Sequence, residues 1–375
     1  HLTTRRQRQM CIRDRPKMLS TYLIFQLFYL KRSWGMKAIV DRRQAHHNPQ
    51  YFMATGKVLP NPEQPRRIKV LQDGAIAAGA NFEPPKDFGM GPIAAVHSPQ
   101  YLTFLQNIYN RWSRLHGSGE EVIPNIHPAS RSDSYPKSAV GQAGYHQADT
   151  ACPINGDTWI SAYWSAQTAI SAADLIMEGN ACAYALSRPP GHHAFADLAG
   201  GFCFLNNTAI AAKYLSFHGK RVAILDIDVH HGNGTQGIFY ETNEIFTVSL
   251  HADTERFYPF FWGQSQERGL GVGNGYNLNI PLNRGTKDDE YLAALQNALN
   301  AILTFGADVV VVALGLDAYE NDPLKGLAIT TAGFGQIGSA IASLNTSTLF
   351  VQEGGYLSDK LGDNLTSFLK GYHIT

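Results

Sequence analysis

From about residue 159 onward the chain switches repeatedly between two hydrophobic periods. Stretches with apolar residues at every third or fourth position read as helices over 159–178, 207–217, 288–305, 332–343 and 361–370. Between them lie short runs rich in Val, Ile, Leu and Ala, at 181–186, 222–228, 245–251, 276–280, 308–314 and 348–352, which read as strands. A short helix is expected over 235–240. Upstream, 36–40 reads as a first strand, 48–65 as a Pro-rich loop, 66–80 as a helix with Ile68, Leu71, Ala75 and Ala78 on one face, and 99–116 as a helix rich in aromatics. Between 117 and 157 both periods fail, and Pro, Ser, Gly and His are frequent. So long a loop in a compact domain is usually functional. It is expected to lie over the mouth of a site and to carry a homodimer contact.

Strands alternating with helices imply a parallel sheet with both faces covered. No repeat and no interdomain linker interrupts 36–375. The expected fold is α/β: one domain built as a three-layer α/β/α doubly wound parallel sheet.

Charged residues sit inside such strands only when paired or bound to metal. The apolar run 221–225 nevertheless delivers Asp226, Asp228, His230 and His231 into the Gly-rich turn Gly232-Asn233-Gly234. Strand alternation would put Asp226, Asp228 and His230 on one face. Asp228 and His230 would then stand side by side at a C-terminal strand end, where ligands bind in open α/β sheets. Their mixed oxygen and nitrogen donors suit zinc or another divalent transition metal. Three further strand ends carry polar groups. Arg188-Pro189-Pro190-Gly191 stiffens the loop before His192 and His193. The run 309–314 leads to Asp317, a third candidate ligand. The run 349–352 leads through Glu353-Gly354-Gly355 to Tyr356. A helix-capping Asp, a satisfied core His pair or a loop aromatic would each explain one of these, but four together weigh against that reading.

The ordered motifs R-P-P-G-H-H, G-F-C-F-x-N-N, D-x-D-x-H-H-G-N-G-T-Q, S-L-H, G-x-D-A and E-G-G-Y resemble those of the zinc-dependent histone deacetylase superfamily. The Asn and Thr-Gln after H-H-G are similar to the class II side and to bacterial acetylpolyamine amidohydrolases. The resemblance runs from Met36 to the C-terminus and implies the arginase–deacetylase fold. It implies one catalytic Zn²⁺ held by Asp228, His230 and Asp317. It places His192 and His193 beside the reacting water and leaving nitrogen, partnered by Asp226 and Asn233. The neutral Asn233 should leave His193 less basic than an Asp partner would, and so a better acid. Tyr356 would donate a hydrogen bond to the substrate carbonyl. Phe202 and Tyr258 would wall the substrate channel. A structural K⁺ would take oxygens of Asp226, Asp228, His230, Ser249 and Leu250, and a second would involve Phe239, Thr242, Ile245 and Tyr276.

The implied activity is removal of acetyl groups from small acetylated polyamines or diamines. Protein lysine deacetylation is the alternative. An arginase-like ureohydrolase would need a second Asp two residues after Asp317, and a non-catalytic acyl-chain binder would not need Tyr356 and the His pair. Two departures bear on substrate. Val140 stands where some acetylpolyamine amidohydrolases carry Glu. Leu324 stands where a polyamine-selective relative has an acidic gatekeeper at the channel, which favours a short diamine. Asp149 could meet a distal ammonium.

Composition adds three points. Residues 1–35 hold eight Lys/Arg against one Asp, leaving 23 basic and 30 acidic residues, a net −7, for the remainder. An acidic body disfavours nucleic acid and steers a cationic substrate inward. Cys11, Cys152, Cys182 and Cys203 lack C-x-x-C spacing, so neither a disulfide framework nor a Cys zinc site is expected, and a reducing cytoplasm is the default. The apolar run 18–30 is too short to span a bilayer, which takes about 20 residues. Residues 9–15 resemble translated adapter read-through, so 1–35 is expected to be a non-native or disordered extension, with an N-terminal anchor as the other reading, and no membrane partner is expected.

Overall fold

The computed structural model describes residues 35–131 and 134–374. In chain order the strands are β1 (Lys37–Ile39), β2 (Tyr51–Ala54), β3 (Lys57–Pro60), β4 (Asn81–Glu83), β5 (Cys182–Ala185), β6 (Val222–Asp226), β7 (Ile245–Ala252), β8 (Asn277–Leu282), β9 (Val309–Leu314) and β10 (Ser347–Gln352). All except β2 and β3 join one sheet in the order β4-β1-β5-β10-β9-β6-β7-β8. Every neighbouring pair in it is parallel.

Alternation along these apolar strands builds two cores. Val309 and Val311 enter one, with Leu105 and Ile108 of helix Pro99–Trp112, Ala166 and Ile170 of helix Thr158–Met177, and Ile210 of helix Asn207–Phe217. Val310, Val312 and Leu314 enter the other, with Leu71 of helix Arg66–Ala77, Leu295 and Leu299 of helix Asp288–Phe305, Ile337 of helix Thr331–Ala342, and Phe368 of helix Leu361–Ile374. Each fully buried Val, Leu or Ile contributes about 1.5–3 kcal/mol, so a strand apolar on both faces is stable only between two helical layers. The three-layer expectation holds.

Several elements differ from expectation, among them β4 and the short helix Gly91–Ala94, which lie where no element is expected. Residues 48–65 contain the hairpin β2–β3, whose residues are mostly exposed, so no single buried face marks it in sequence. Residues 117–157 contain helix Ala139–His146, which the sequence hides because Gly141 and Gly144 weaken helix propensity. Tertiary packing needs that glycine: a methyl at Gly144 would collide with the Ile126 backbone. Strand β6 stops at Asp226, two residues early, because Asp226 Oδ1 accepts the Asp228 amide (3.1 Å) and turns the chain.

Met36–Thr375 forms one compact unit. The expected extension 1–35, and the anchor alternative at 18–30, lie outside the described residues apart from Gly35. Among the described residues no helix is long and apolar enough to cross a membrane.

Candidate metal centre

Four adjacent strands, β5, β10, β9 and β6, send their C-terminal ends to one place. There Asp228, His230 and Asp317 converge, all buried, with candidate ligand atoms within 4.8 Å of one another. Alternation does not produce this grouping, since β6 has already ended. Instead Asp228 Oδ1 accepts the His230 amide (2.9 Å) and Asp317 Oδ1 accepts the Val229 amide (3.0 Å), folding the turn over the end of β9. Asp226 is thereby separated from the group and faces His192.

The residues fit a divalent cation. His230 Nδ1 stands 3.1 Å from Asp228 Oδ1 and 3.2 Å from Asp317 Oδ2. Tetrahedral bonds of about 2.0–2.2 Å separate neighbouring donor atoms by about 3.3–3.6 Å. Asp317 Oδ2 is buried without a hydrogen-bond partner. Burial first, and then the neighbouring Asp228, push the Asp317 carboxyl above the usual carboxylate range. Two carboxylates this close cannot both ionise cheaply in a dry site, and a dication removes the conflict. Gly354 completes the cradle: a methyl there would collide with both carboxylates, and its amide donates to Asp228 Oδ2 (2.8 Å).

Beside this group the His192 and His193 rings lie 4.0 Å apart. His192 Nδ1 meets Asp226 Oδ2 at 2.9 Å, and His193 Nδ1 meets Asn233 Oδ1 at 2.7 Å. Burial alone would depress His192, but Asp228 and Asp226 outweigh it and hold the imidazole well above its ordinary value. Burial, with His192 and His230 adding to it, holds His193 well below, and Asn233 brings no charge to compensate. The two histidines are thus tuned in opposite directions, His192 by the Asp228 and Asp226 carboxylates and His193 by burial and its His neighbours.

Glu353 anchors the loop that carries them. Its Oε2 accepts from the Gly191 (2.6 Å) and His192 (3.0 Å) amides, and its Oε1 from Thr208 Oγ1 (2.7 Å). Burial pushes its carboxyl up to about 7. In the sequence Glu353 is only one letter of E-G-G-Y, and no spacing marks this role.

Tyr356 is buried, with the Arg67 guanidinium 4.9 Å from its ring centroid and the Phe202 ring 5.8 Å away. Its amide donates to Asp322 Oδ2 (2.9 Å), and Asp322 Oδ1 accepts the Leu324 amide (2.9 Å). The buried Asp322 therefore links the two predicted residues, and nothing in the spacing announced it. Tyr258 packs edge-on against His193 at 4.9 Å, while Phe257 stacks on His230 at 5.0 Å. Of the predicted cation ligands, Asp226 pairs in register with Ser249, and Ser249 Oγ meets His251 Nδ1 at 2.8 Å. Leu250 is buried in β7. In the second set, the Thr242 amide donates to the Phe239 carbonyl (3.1 Å), and Thr242 Oγ1 is buried without a partner. Ile245 begins β7, and the Tyr276 carbonyl accepts the Thr247 amide (2.9 Å).

The family model described as the histone deacetylase domain matches residues 61–372. The chain belongs to the histone deacetylase family. That family is zinc-dependent, in agreement with the donor set. Among its members, this chain is 42% identical over 330 residues to an acetylpolyamine amidohydrolase of Burkholderia pseudomallei, covering 88% of this chain and 96% of that protein. An acetylpolyamine amidohydrolase of Mycoplana ramosa is 37% identical over 338 residues, covering 90% and 99%. The crystal structure of an acetylpolyamine aminohydrolase from Burkholderia pseudomallei superposes with a TM-score of 0.87 at 42% identity, covering 90% of this chain and 98% of that one. The family fold agrees with the parallel eight-stranded sheet.

Proposed function

We propose that this protein is a zinc-dependent amidohydrolase that removes acetyl groups from small acetylated diamines or polyamines. The observation that carries the reading is the buried Asp228, His230 and Asp317 group beside two imidazoles of opposite tuning. Relatives named acetylpolyamine amidohydrolases, 37–42% identical over most of the chain, support the substrate class. Asp228, His230 and Asp317 would hold the zinc. When bound, zinc supplies a Lewis acid that acidifies water and polarises an amide carbonyl.

The chain's own groups do the rest. His193, kept neutral, accepts a proton at Nε2 while Asn233 holds Nδ1. Because it is a weak base, it readily passes that proton to the leaving nitrogen. His192, whose imidazole Asp228 and Asp226 raise above its ordinary value, is placed to stabilise negative charge as it develops. Tyr356 donates to the carbonyl oxygen, and Phe202, Tyr258 and Leu324 bound the channel. The reading includes a structural K⁺ at Asp226, Asp228, His230, Ser249 and Leu250, with a second near Phe239, Thr242, Ile245 and Tyr276, and a homodimer through 117–157. Cys152 and Cys203 are free and buried, in keeping with a cytoplasmic setting.

Tyr356→Phe removes one donor to the oxyanion and keeps the ring. It is expected to lower kcat by about 10²–10³ with KM little changed, since deleting one such donor costs that much. A Phe variant with wild-type kcat would remove Tyr356 from the chemistry.

Substrate choice tests the reading as a whole. The 23 basic and 30 acidic residues outside 1–35 favour a cationic chain, and the segment 117–157 crowding the mouth favours a thin one over a folded protein tail. We expect kcat/KM for N-acetylputrescine, N-acetylcadaverine or an acetylated polyamine to exceed that for an acetyl-lysine peptide by at least about tenfold, or ~1.4 kcal/mol. The advantage should shrink as salt rises. Equal or better turnover of acetylated histone peptides would favour the protein deacetylase alternative.

A further inference from the structure

The segment 117–157 reaches the candidate site through Asp149. This half-buried carboxylate lies between the two aromatic walls. Its Oδ2 accepts the Tyr258 hydroxyl at 2.6 Å and the Gly201 amide at 3.1 Å. Its Oδ1 accepts the Ala151 amide at 2.8 Å. One oxygen thus grips both sides: the side chain of one wall and the backbone turn that presents the other, Phe202. Hydrogen bonds to an ionised acceptor are roughly twice as strong as neutral ones.

That turn needs a restraint. Gly201 and Phe202 both have left-handed backbone, with φ of 52° and 69°. For a bulky residue such as Phe this conformation is unfavourable and persists only when its surroundings enforce it. A methyl at Gly201 would collide with His193 and with the Tyr258 hydroxyl, so the turn passes tightly between them. Behind Asp149 the backbone is fixed as well: Ala148 donates to the Ala199 carbonyl (2.7 Å), and Ala199 donates to the His146 carbonyl (2.8 Å). Asp149 therefore stands on a braced segment and accepts three hydrogen bonds from its own chain. It needs no substrate ammonium to satisfy it.

We propose that Asp149 is a positioning residue that ties Tyr258 to the Gly201–Phe202 turn and so fixes the width of the substrate channel, selecting unbranched amine chains. This rests on the amidohydrolase reading above. It differs from direct recognition of a distal ammonium, because the carboxylate acts through the walls.

Two neutral substrates separate width from charge: N-butylacetamide and N-(cyclohexylmethyl)acetamide. The wild-type holoenzyme should prefer the linear amide. Tyr258→Phe, which keeps the ring and loses the bond, and Asp149→Ala should each reduce that preference by about tenfold (~1.4 kcal/mol). The double variant should go no further than Asp149→Ala alone, because the bond that Tyr258→Phe removes is already lost in it. A crystal structure of Asp149→Ala should show the Tyr258 ring displaced from His193. Unchanged selectivity in both single variants, or effects that add in the double variant, would overturn the proposal. So would an Asp149→Ala protein that raises KM for acetylated diamines alone while Tyr258→Phe does nothing, since that pattern marks a direct ammonium contact. Failure of the zinc-loaded wild type to cleave either amide or any acetylated diamine would instead sink the amidohydrolase reading, and the ring position would still report on the clamp.

Discussion

Asp317→Ala protein should fold, bind zinc more than about 100-fold more weakly and show no measurable amidase activity. Loss of an outer partner alone typically costs 10–100-fold in metal affinity, and Asp317 is placed to be a direct ligand. Its Oδ2 has no other partner, and it lies 3.2 Å from His230 Nδ1. Stability provides a second readout. Without metal, Asp317 and Asp228 are two carboxyls crowded in a dry site, and burial plus Asp228 already hold Asp317 above its usual range. The metal-free variant relieves that crowding but leaves the buried Val229 amide without its acceptor, so it should melt close to metal-free wild type. With zinc present at about 100 times its Kd, wild type should gain ~2.7 kcal/mol and the variant much less. Elemental analysis, melting curves with and without chelator, and restoration of wild-type activity by Zn²⁺ or Co²⁺ check the set. Full activity in a variant shown to be zinc-free would defeat the metal assignment.

The second large effect is on stability. Glu63 is buried with Arg67 and Arg188, all three at or near zero exposure. Its Oε1 accepts from Arg67 (2.6 Å) and Arg188 (2.9 Å). Arg67 also donates to the carbonyls of Gly355 (2.6 Å) and Glu353 (2.7 Å), beside Tyr356. Arg188 also donates to the Gln44 (2.6 Å) and His47 (2.7 Å) carbonyls, just before the His pair. One carboxylate thus joins the loops that present Tyr356 and His192. Burial raises the Glu63 carboxyl, but Arg188 and Arg67 outweigh it and hold it ionised. Glu63→Ala leaves two buried guanidiniums without a counter-charge, a change that costs about 3–5 kcal/mol. That is a large share of the 5–15 kcal/mol typical of a whole domain, and a fall in Tm on the order of 10 °C should follow. Glu63→Gln keeps the shape and an acceptor and should lose less. Wild-type Tm in the Ala variant would show that the three charges are not coupled to folding.

The sheet and its helices were legible because their signals are local. Helix Asn207–Phe217 begins where Asn206 caps the Ala209 amide (2.9 Å), and helix Asp288–Phe305 ends at Gly306 with φ of 72°. Both bounds follow from capping chemistry written in adjacent residues. Helix Ala139–His146 was not legible, since its glycines argue against a helix, and only packing, of Gly144 against Ile126 and of Gly141 against Pro136, calls for them. The site divides the same way. Asp228, His230, Asp317, the His pair and Tyr356 stand at ends of apolar runs, and that position is visible in one dimension. Glu353, Asp322, Glu63 and Asp149 act on partners 34 to 162 positions away, among them Gly191, Tyr356, Arg188 and Tyr258, so no spacing reports them. Alternation correctly grouped Asp228 with His230 but for the wrong reason, because a turn rather than a strand brings them together.

The position of β10 has a consequence for synthesis. The last strand made lies between β5 and β9, pairing with both, and its tail carries Glu353 and Tyr356. A chain leaving the ribosome N-terminus first can form β5 and later β6 with β9, but the slot between them stays open until residue 352 has emerged. Up to that point two strand edges are unpaired and open to mispairing with other chains. The sheet halves are joined and the loops of the candidate site tethered in one late event, so a nascent or C-terminally shortened chain is not a weaker protein but an unfinished one.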